Sequence, residues 1–342
     1  MKKDLSISIV TPTYNRADEL DSLLTSISAQ TMSLKNIECI ISDDGSKDET
    51  EMIIESWKRK AVFDIIYIKQ KNKGPGAARN HGLAQSTGEL ILFIDSDCEA
   101  HPKWLETIVR EYHVNDFDAC GGPDGAKDDF TLLQKAIDYS MTSFFTTGGM
   151  RGHSKNMIAK FYPRTHNMGI TRKIYEAIGG FGDLRHGQDI EFSNRIRKSG
   201  AKITFIENAL VYHRRRTTIR QFIKQVFNWG VARVNLGRID SKMLEAIHFL
   251  PSLACLSLII LISLAIYRDW NLQNILFIIF IPLIIISFIG SMNKKDVKIF
   301  PLLLIVIPIQ ILGYGIGFLQ AFLRRFIFKE SEMIGFKKNY YK

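Results

Sequence analysis

Short apolar runs that alternate with helical stripes over the first hundred residues restrict this chain to a layered α/β fold. Residues 6–10 (SISIV) form a β-rich run that ends at Thr11-Pro12. Residues 17–30 then carry Leu20, Leu23, Leu24 and Ile27 on one helical stripe. A second strand over residues 37–42 stops at Asp43-Asp44-Gly45-Ser46, and a helix over 49–60 leads to a third strand over 63–69. Gly74-Pro75-Gly76 opens a helix over 77–85, and residues 89–94 (ELILFI) read as a fourth strand. That strand is apolar on both faces, as a central parallel strand requires. The alternation predicts a doubly wound, mostly parallel sheet. Ligands of such sheets bind beyond the carboxyl ends of the strands. Thr11-Pro12, Asp43-Asp44 and Asp95-Ser96-Asp97 all fall at strand ends, so three polar signals converge on one rim.

Beyond Asp97 the expected elements are a helix over 103–112, an irregular stretch over 121–164 with a helix near 132–145, and a return to the sheet edge over 161–170. A helix over 189–199, ended by Gly200, and a strand over 201–205 follow. There is no internal repeat.

The apolar fraction of 46% is ordinary for a globular chain, but it is unevenly spread. Residues 249–267, 272–292 and 300–323 are uncharged apolar runs of about 20 residues, long enough to cross a ~30 Å hydrocarbon core. The expected domains are therefore a polar catalytic domain over 1–242, a transmembrane module of two to three helices over 243–323, and a basic tail over 324–342. The net charge of +10 concentrates just before the apolar part, in Arg214, Arg215, Arg216, Arg220, Lys224, Arg233, Arg238 and Lys242, opposed only by Asp240. A basic helix near 217–242 fits a cytoplasmic juxtamembrane segment and favours a membrane partner over nucleic acid. Two crossings leave Lys294, Lys295 and Lys298 inside; a third exports Arg324, Arg325, Lys337 and Lys338 against the positive-inside rule. The number of crossings stays open between two and three. Cys39, Cys98, Cys120 and Cys255 form no CxxC pair, which points away from a zinc site and a disulfide framework. The first ten residues lack a signal-peptide core. The expected location is a plasma or inner membrane, multi-pass, with the polar domain in the cytoplasm.

The strand-end residues suggest the chemistry. Two carboxylates at positions 95 and 97 can reach one hard cation, Mg²⁺ or Mn²⁺, and its bound phosphates; the plain alternative is a solvated turn. Tyr14 can offer a ring to a nucleobase, or be a surface turn residue. Asp43 and Asp44 can bond a uracil imide or make an Asx turn and helix N-cap. Residues 72–80 (NKGPGAARN) join a flexible loop, a helix N-terminus and Arg79, all favourable to an anion, or form a simple loop-helix junction.

The ordered series TPTYNR, SDDGSKDET, NKGPGAARN, DSD and GQDIEFSNR resembles the inverting glycosyltransferase family 2, of GT-A fold, over residues 5–240. The resemblance implies a nucleotide-sugar site built from Thr11, Pro12, Tyr14, Arg16, Asp44, Lys73, Gly76, Arg79, Asp95 and Ser96. In it Tyr14 stacks on the base, Asp44 bonds it, Asp97 binds the metal directly, and Asp95 serves ribose or metal. It implies Asp189 as the catalytic base. Gln188 stands where the family often has Glu, and Glu191, on another helical face, fits a salt bridge to Arg195. His213 matches a further metal or diphosphate ligand of some relatives, or is an ordinary strand-end His. Residues 225–229 (QVFNW) resemble the QxxRW motif of processive synthases, with Asn228 in place of Arg. That change and the short membrane part favour single transfer, and leave Trp229 as an interfacial anchor. Residues 139–149 (YSMTSFFTTGG) resemble succinoglycan-type exopolysaccharide glucosyltransferases. The resulting expectation is a metal-dependent transfer from a nucleotide diphosphate sugar, UDP-sugar favoured, to a hydroxyl of a lipid-linked saccharide. The alternatives are a polyprenyl-phosphate sugar synthase and a non-catalytic nucleotide-sugar-binding scaffold.

Overall fold

A computed structural model describes residues 5–127, 129–147, 161–268 and 270–336. In chain order the elements are β1 (Ile7–Thr13), α1 (Ala17–Ser28), β2 (Ile37–Asp43), α2 (Thr50–Lys60), β3 (Asp64–Lys69), α3 (Pro75–Gln85) and β4 (Leu90–Phe93). Then come β5 (Cys98–Ala100), α4 (Trp104–Asn115), β6 (Ala119–Gly121), β7 (Asp124–Gly125), α5 (Leu132–Thr142), α6 (Phe144–Thr147), β8 (Met168–Thr171) and α7 (Arg172–Ile178). The last are α8 (Gln188–Lys198), β9 (Ile203–Phe205), β10 (Val211–His213), α9 (Ile219–Ile239), α10 (Leu250–Tyr267), α11 (Leu272–Asn293) and α12 (Phe300–Phe322). Contacts divide the described residues into two units: 5–127 with 161–214, and 129–147 with 215–336. Residues 217–242, read from the sequence with the first domain, thus group with the apolar helices. Of the 139–149 likeness, residues 148–149 lie outside the described residues.

The first unit holds a seven-stranded sheet in the order β3-β2-β1-β4-β8-β6-β9. β3, β2, β1 and β4 run parallel, while β8 lies antiparallel between β4 and β6. Successive strand residues face opposite sides, and the sequence uses both. Ile7 and Ile9, Cys39 and Ile41, and Leu90 and Leu92 share one buried cluster with Leu20, Leu24 and Ile27 of α1 and Trp57 of α2. Val10, Ile40, Ile91 and Phe93 share the other with Leu83 of α3 and Phe192 and Ile196 of α8. The mixed α/β fold with a parallel-rich sheet is therefore as expected.

Three local expectations change. β1 runs through Pro12 to Thr13, because its ladder with β4 ends at Val10 while pairing with β2 continues to Thr13↔Asp43. The segment before residue 170 does not return at an edge: β8 is internal, fully buried, and hydrogen-bonded on both sides. A separate three-stranded sheet, β5-β10-β7, carries Cys98 opposite His213. Strands of two or three residues leave no readable period.

The second unit contains helices α10 and α12 within two segments, Ala246–Tyr267 and Val297–Ile327, that are long and apolar enough to cross a membrane; a shorter apolar segment spans Phe277–Asn293. α9 is not a free interfacial helix. Its Phe222 and Val226 are buried with Ala136 and Ile137 of α5 and Leu303 and Val306 of α12, and Trp229 packs partly buried on that cluster. Asp138 of α5 is fully enclosed: Arg215 Nε donates to its Oδ1 at 2.8 Å with Nη2 in ion-pair contact 2.7 Å from the same oxygen, and Lys294 Nζ donates to Oδ2 at 2.6 Å. Removing one partner strands the other charges. Asp138→Ala is expected to lower stability by ~3–5 kcal/mol, read as a drop in the thermal midpoint of the detergent-solubilised protein.

Candidate active site

The rim is built where β1, β2 and β4 end. Beyond β4, Asp95 accepts a hydrogen bond from Arg79 Nη2 of α3 at 2.6 Å. Ser96 is buried. Asp97 is bridged by Arg16, whose Nη1 lies 2.6 Å from Oδ2. Arg16 precedes α1 and Asp97 precedes β5, so the pair ties the first strand's loop to the fourth's. Asn15 joins the same loop to the next strand's: its N–H donates to Ser46 Oγ at 2.8 Å, and its Oδ1 accepts from Lys47 N at 2.8 Å. Tyr14 is half-buried beside it. Thr11 and Thr13, on one face of β1, are buried, and neither hydroxyl has a hydrogen-bond partner among the described residues. Pro12 is buried between them.

The two acids after β2 divide the work. Asp43 makes the Asx turn, accepting from Ser46 N at 2.8 Å, and also takes the Tyr67 hydroxyl at 2.7 Å. Asp44 holds the loop that carries Lys73: Oδ1 accepts from Gln70 Nε2 and Lys73 N, and Oδ2 from Gly74 N, each at 2.8 Å. The Lys73 side chain is exposed.

Asp189 lies in the first turn of α8, about a quarter exposed at 26%, with Arg164 Nη1 3.2 Å from Oδ2. Burial pushes its carboxyl up, but the Arg164 charge and hydrogen bond, with Arg79 and His166, outweigh that and hold it below the ordinary carboxylate range. α3 and α8 meet closely. A Cβ on Gly76 would meet the end of the Gln188 side chain, so a larger residue there would make Gln188 move aside. Asn80 clamps the loop before α8, donating to Phe181 O at 2.8 Å and accepting from Phe181 N at 2.7 Å. Glu191 bonds Arg195 Nε at 2.7 Å, as its spacing implies. Asn80→Ala leaves the Phe181 groups unpaired and is expected to cost ~1–3 kcal/mol, checked by urea unfolding.

Pairing of β10 with β5 brings His213 to Asp97. His213 Nε2 lies 3.5 Å from Asp97 Oδ1, and Nδ1 lies 3.5 Å from Asp124 Oδ2. His166 Nε2 lies 3.8 Å from Asp124 Oδ1, and its ring centroid is 5.0 Å from that of His213. Ligand atoms of Asp97, Cys98 and His213, and of Asp124, His166 and His213, each converge closely enough for one ion. Carboxylate suits Mg²⁺ or Mn²⁺ and imidazole suits transition metals, so the mixed set suits a divalent ion. Cys98 does not, since burial, and then the charges of Asp97, Asp95 and Asp124, push its thiol well up. The donor set therefore fits a divalent cation through Asp97 and His213. Arg164, His166, Asp124 and Asn80 were missed in the sequence. Asp124 follows Gly121-Gly122-Pro123, the same strand-end signal as Asp95, in a stretch read as irregular.

The fold is that of the GT-A transferases. Mannosyltransferase PcManGT of Pyrobaculum calidifontis, solved with GDP-Man and Mn²⁺, superposes with a TM-score of 0.64 at 13% identity, covering 93% of this chain and 88% of that one. The Glycosyl transferase family 2 profile matches residues 8–179. The chain belongs to glycosyl transferase family 2 and is a transferase. Glycosyltransferase AglE of Haloferax volcanii is 29% identical over 246 residues, 71% of this chain and 78% of AglE. The uncharacterized glycosyltransferase alr2836 of Nostoc sp. is 38% identical over 181 residues, and the match covers 51% of this chain and 53% of that protein.

Proposed function

We propose that this glycosyltransferase moves a sugar, with inversion, from a nucleoside diphosphate, uridine favoured, to a hydroxyl of a lipid-linked saccharide. One observation carries the reading: Arg79 bonds Asp95 while its charge acts on Asp189, so donor-side and acceptor-side acids belong to one electrostatic group. The two apolar segments support a membrane-borne acceptor.

In this reading Tyr14 stacks on the base. Asp44, already committed to its loop, presents that loop's backbone and accepts the base N–H with a remaining lone pair. Thr11 and Thr13 supply hydroxyls with no partner among the described residues. Arg16 and Arg79 neutralise the diphosphate. Asp97 and His213 hold the divalent ion, which offsets charge on the departing diphosphate when bound. Asp189 takes the proton of the acceptor hydroxyl as general base. The acceptor oxygen bonds the anomeric carbon, the bond to diphosphate oxygen breaks, and the proton ends on Asp189. Ionised Asp189 is the form a base requires, and Arg164 keeps it so.

The test incubates purified protein with a panel of nucleotide sugars, Mn²⁺ and extracted membrane lipids, with products read by mass spectrometry. The expected product is a lipid-linked saccharide one sugar longer. Donor turnover onto a polyprenyl phosphate, with none onto saccharide hydroxyls, would overturn the acceptor.

A further inference from the structure

The sequence leaves the odd third apolar run in conflict with the positive-inside rule. We propose that only α10 and α11 cross the bilayer, and that α12 lies with α9 along the cytoplasmic lipid face, keeping the C-terminal basic residues inside. The bilayer is the partner of the α9–α12 surface.

Polarity decides α9. It carries Arg220, Gln221, Lys224, Gln225, Asn228, Arg233, Asn235 and Arg238. Placing several Arg and Lys at mid-membrane is strongly unfavourable, so α9 does not cross. α12 is locked to it in parallel. A Cβ on Gly313 would strike Val226, one on Gly317 would strike Phe227, and one on Gly230 would strike backbone at Tyr314 and Phe318. Further on, Val231 and Val234 are buried with Phe318 and Ala321. Both helices advance together, so residues 313–321 of α12 lie at the depth of 226–234 of α9. Residues 300–312 are all that remain for a crossing. At 1.5 Å per residue they span about 20 Å, short of a ~30 Å core, and they include the buried Gln310.

α10 and α11 behave differently. α10 touches α12 near its own start, where Ser252 Oγ donates to Gly315 O at 3.2 Å. α11 touches it near its end, where Gly290 meets Tyr139 and Leu303. Between those anchors Ile259, Ile260, Phe277, Ile278, Ile281 and Ile285 are exposed, which suits lipid. The α10–α11 hairpin leaves the α9–α12 pair and comes back to it. Its return is fixed within the second unit, because Lys294 and Arg215 share Asp138. α12 itself exposes Ile305 and Ile316, and Arg324 and Arg325 follow its end. α12 is apolar all round, with Leu303, Val306, Ile307 and Phe318 buried against protein; lipid takes the exposed remainder, and the basic residues after its end can meet anionic headgroups.

Single cysteines at Arg268→Cys, Val297→Cys and Glu332→Cys, in full-length protein in bacterial cells, test this with a membrane-impermeant maleimide. The four native cysteines are buried, and the unsubstituted chain sets the background. Arg268→Cys is expected to label in intact cells, while Val297→Cys and Glu332→Cys label only after permeabilisation. A C-terminal fluorescent protein that matures only in the cytoplasm should glow, which reads the same topology without substitution. External labelling of Glu332→Cys with a dark fusion makes α12 a crossing helix and overturns the proposal. So does protection of Arg268→Cys, which would keep the hairpin from crossing. Neither readout depends on the donor or acceptor.

Discussion

Asp97→Asn is expected to weaken Mn²⁺ binding and to lower kcat by at least about 100-fold, since metal stabilisation of a leaving group amounts to several kcal/mol and each ~1.4 kcal/mol is tenfold. Asparagine keeps an oxygen for Arg16, so the bridge across the two loops at 2.6 Å has a substitute, and the thermal midpoint should move little. The two losses separate the explanations. If Mn²⁺ affinity, read by electron paramagnetic resonance on the free protein, falls along with turnover, Asp97 is a ligand. If turnover falls while affinity holds, Asp97 acts by positioning Arg16, and the metal assignment fails. Asp124→Asn gives a graded version. Asp124 faces Nδ1 of His213 while Nε2 faces Asp97. Such carboxylate partners of a metal-binding imidazole typically change affinity ~10–100-fold when replaced. The expected order of Mn²⁺ affinity is wild type, then Asp124→Asn, then Asp97→Asn.

Legibility in the sequence followed element length. β1, β2 and β4 were readable because each packs several β-branched or apolar residues into five or six positions (SISIV, IECIIS, ELILFI) and is stopped by polar residues, and Asp95 and Asp97 came with them. His213 was singled out only by resemblance. Its partner strand β5 spans three residues, too few for a period, so its pairing with Cys98 and its approach to Asp97 were invisible. Asp124 lay in the stretch read as irregular, and Arg164 and His166 in a segment expected to return to the sheet without any side chain singled out. Asn80 stood in a quoted motif without a role, because its bonds reach 101 residues ahead to Phe181. Hydropathy finds apolar helices without distinguishing lipid from protein as their surroundings. In α12 the distinction is carried by glycines at 313 and 317, which a hydropathy count treats as neutral and a packing argument treats as contact points.

Asp189→Asn is expected to lower kcat by ~10²–10⁴-fold, the usual contribution of a positioned base, with little change in donor affinity. A phosphate acceptor is already ionised and needs no base, so a variant that kept most of its activity would move the enzyme to the polyprenyl-phosphate class. The pH profile gives a second reading of the same group. Burial raises the carboxyl, and Arg164, Arg79 and His166 together bring it below its ordinary value. The folded pKa is thus lower than the unfolded one. Asp189 is ionised above the ordinary carboxylate range, stays so somewhat below it, and is lost as base only when the pH falls through the depressed folded value. The charge contributes stability in the same sense, present above the unfolded pKa and lost through the folded one. Arg164→Ala removes the nearest compensating charge and leaves burial with less to oppose it. The acid limb of kcat/KM should then move to higher pH, while activity on the plateau above it falls far less than in Asp189→Asn. An unmoved limb would mean that the titrating group is not Asp189, and that Arg164 holds the loop before β8 rather than the base.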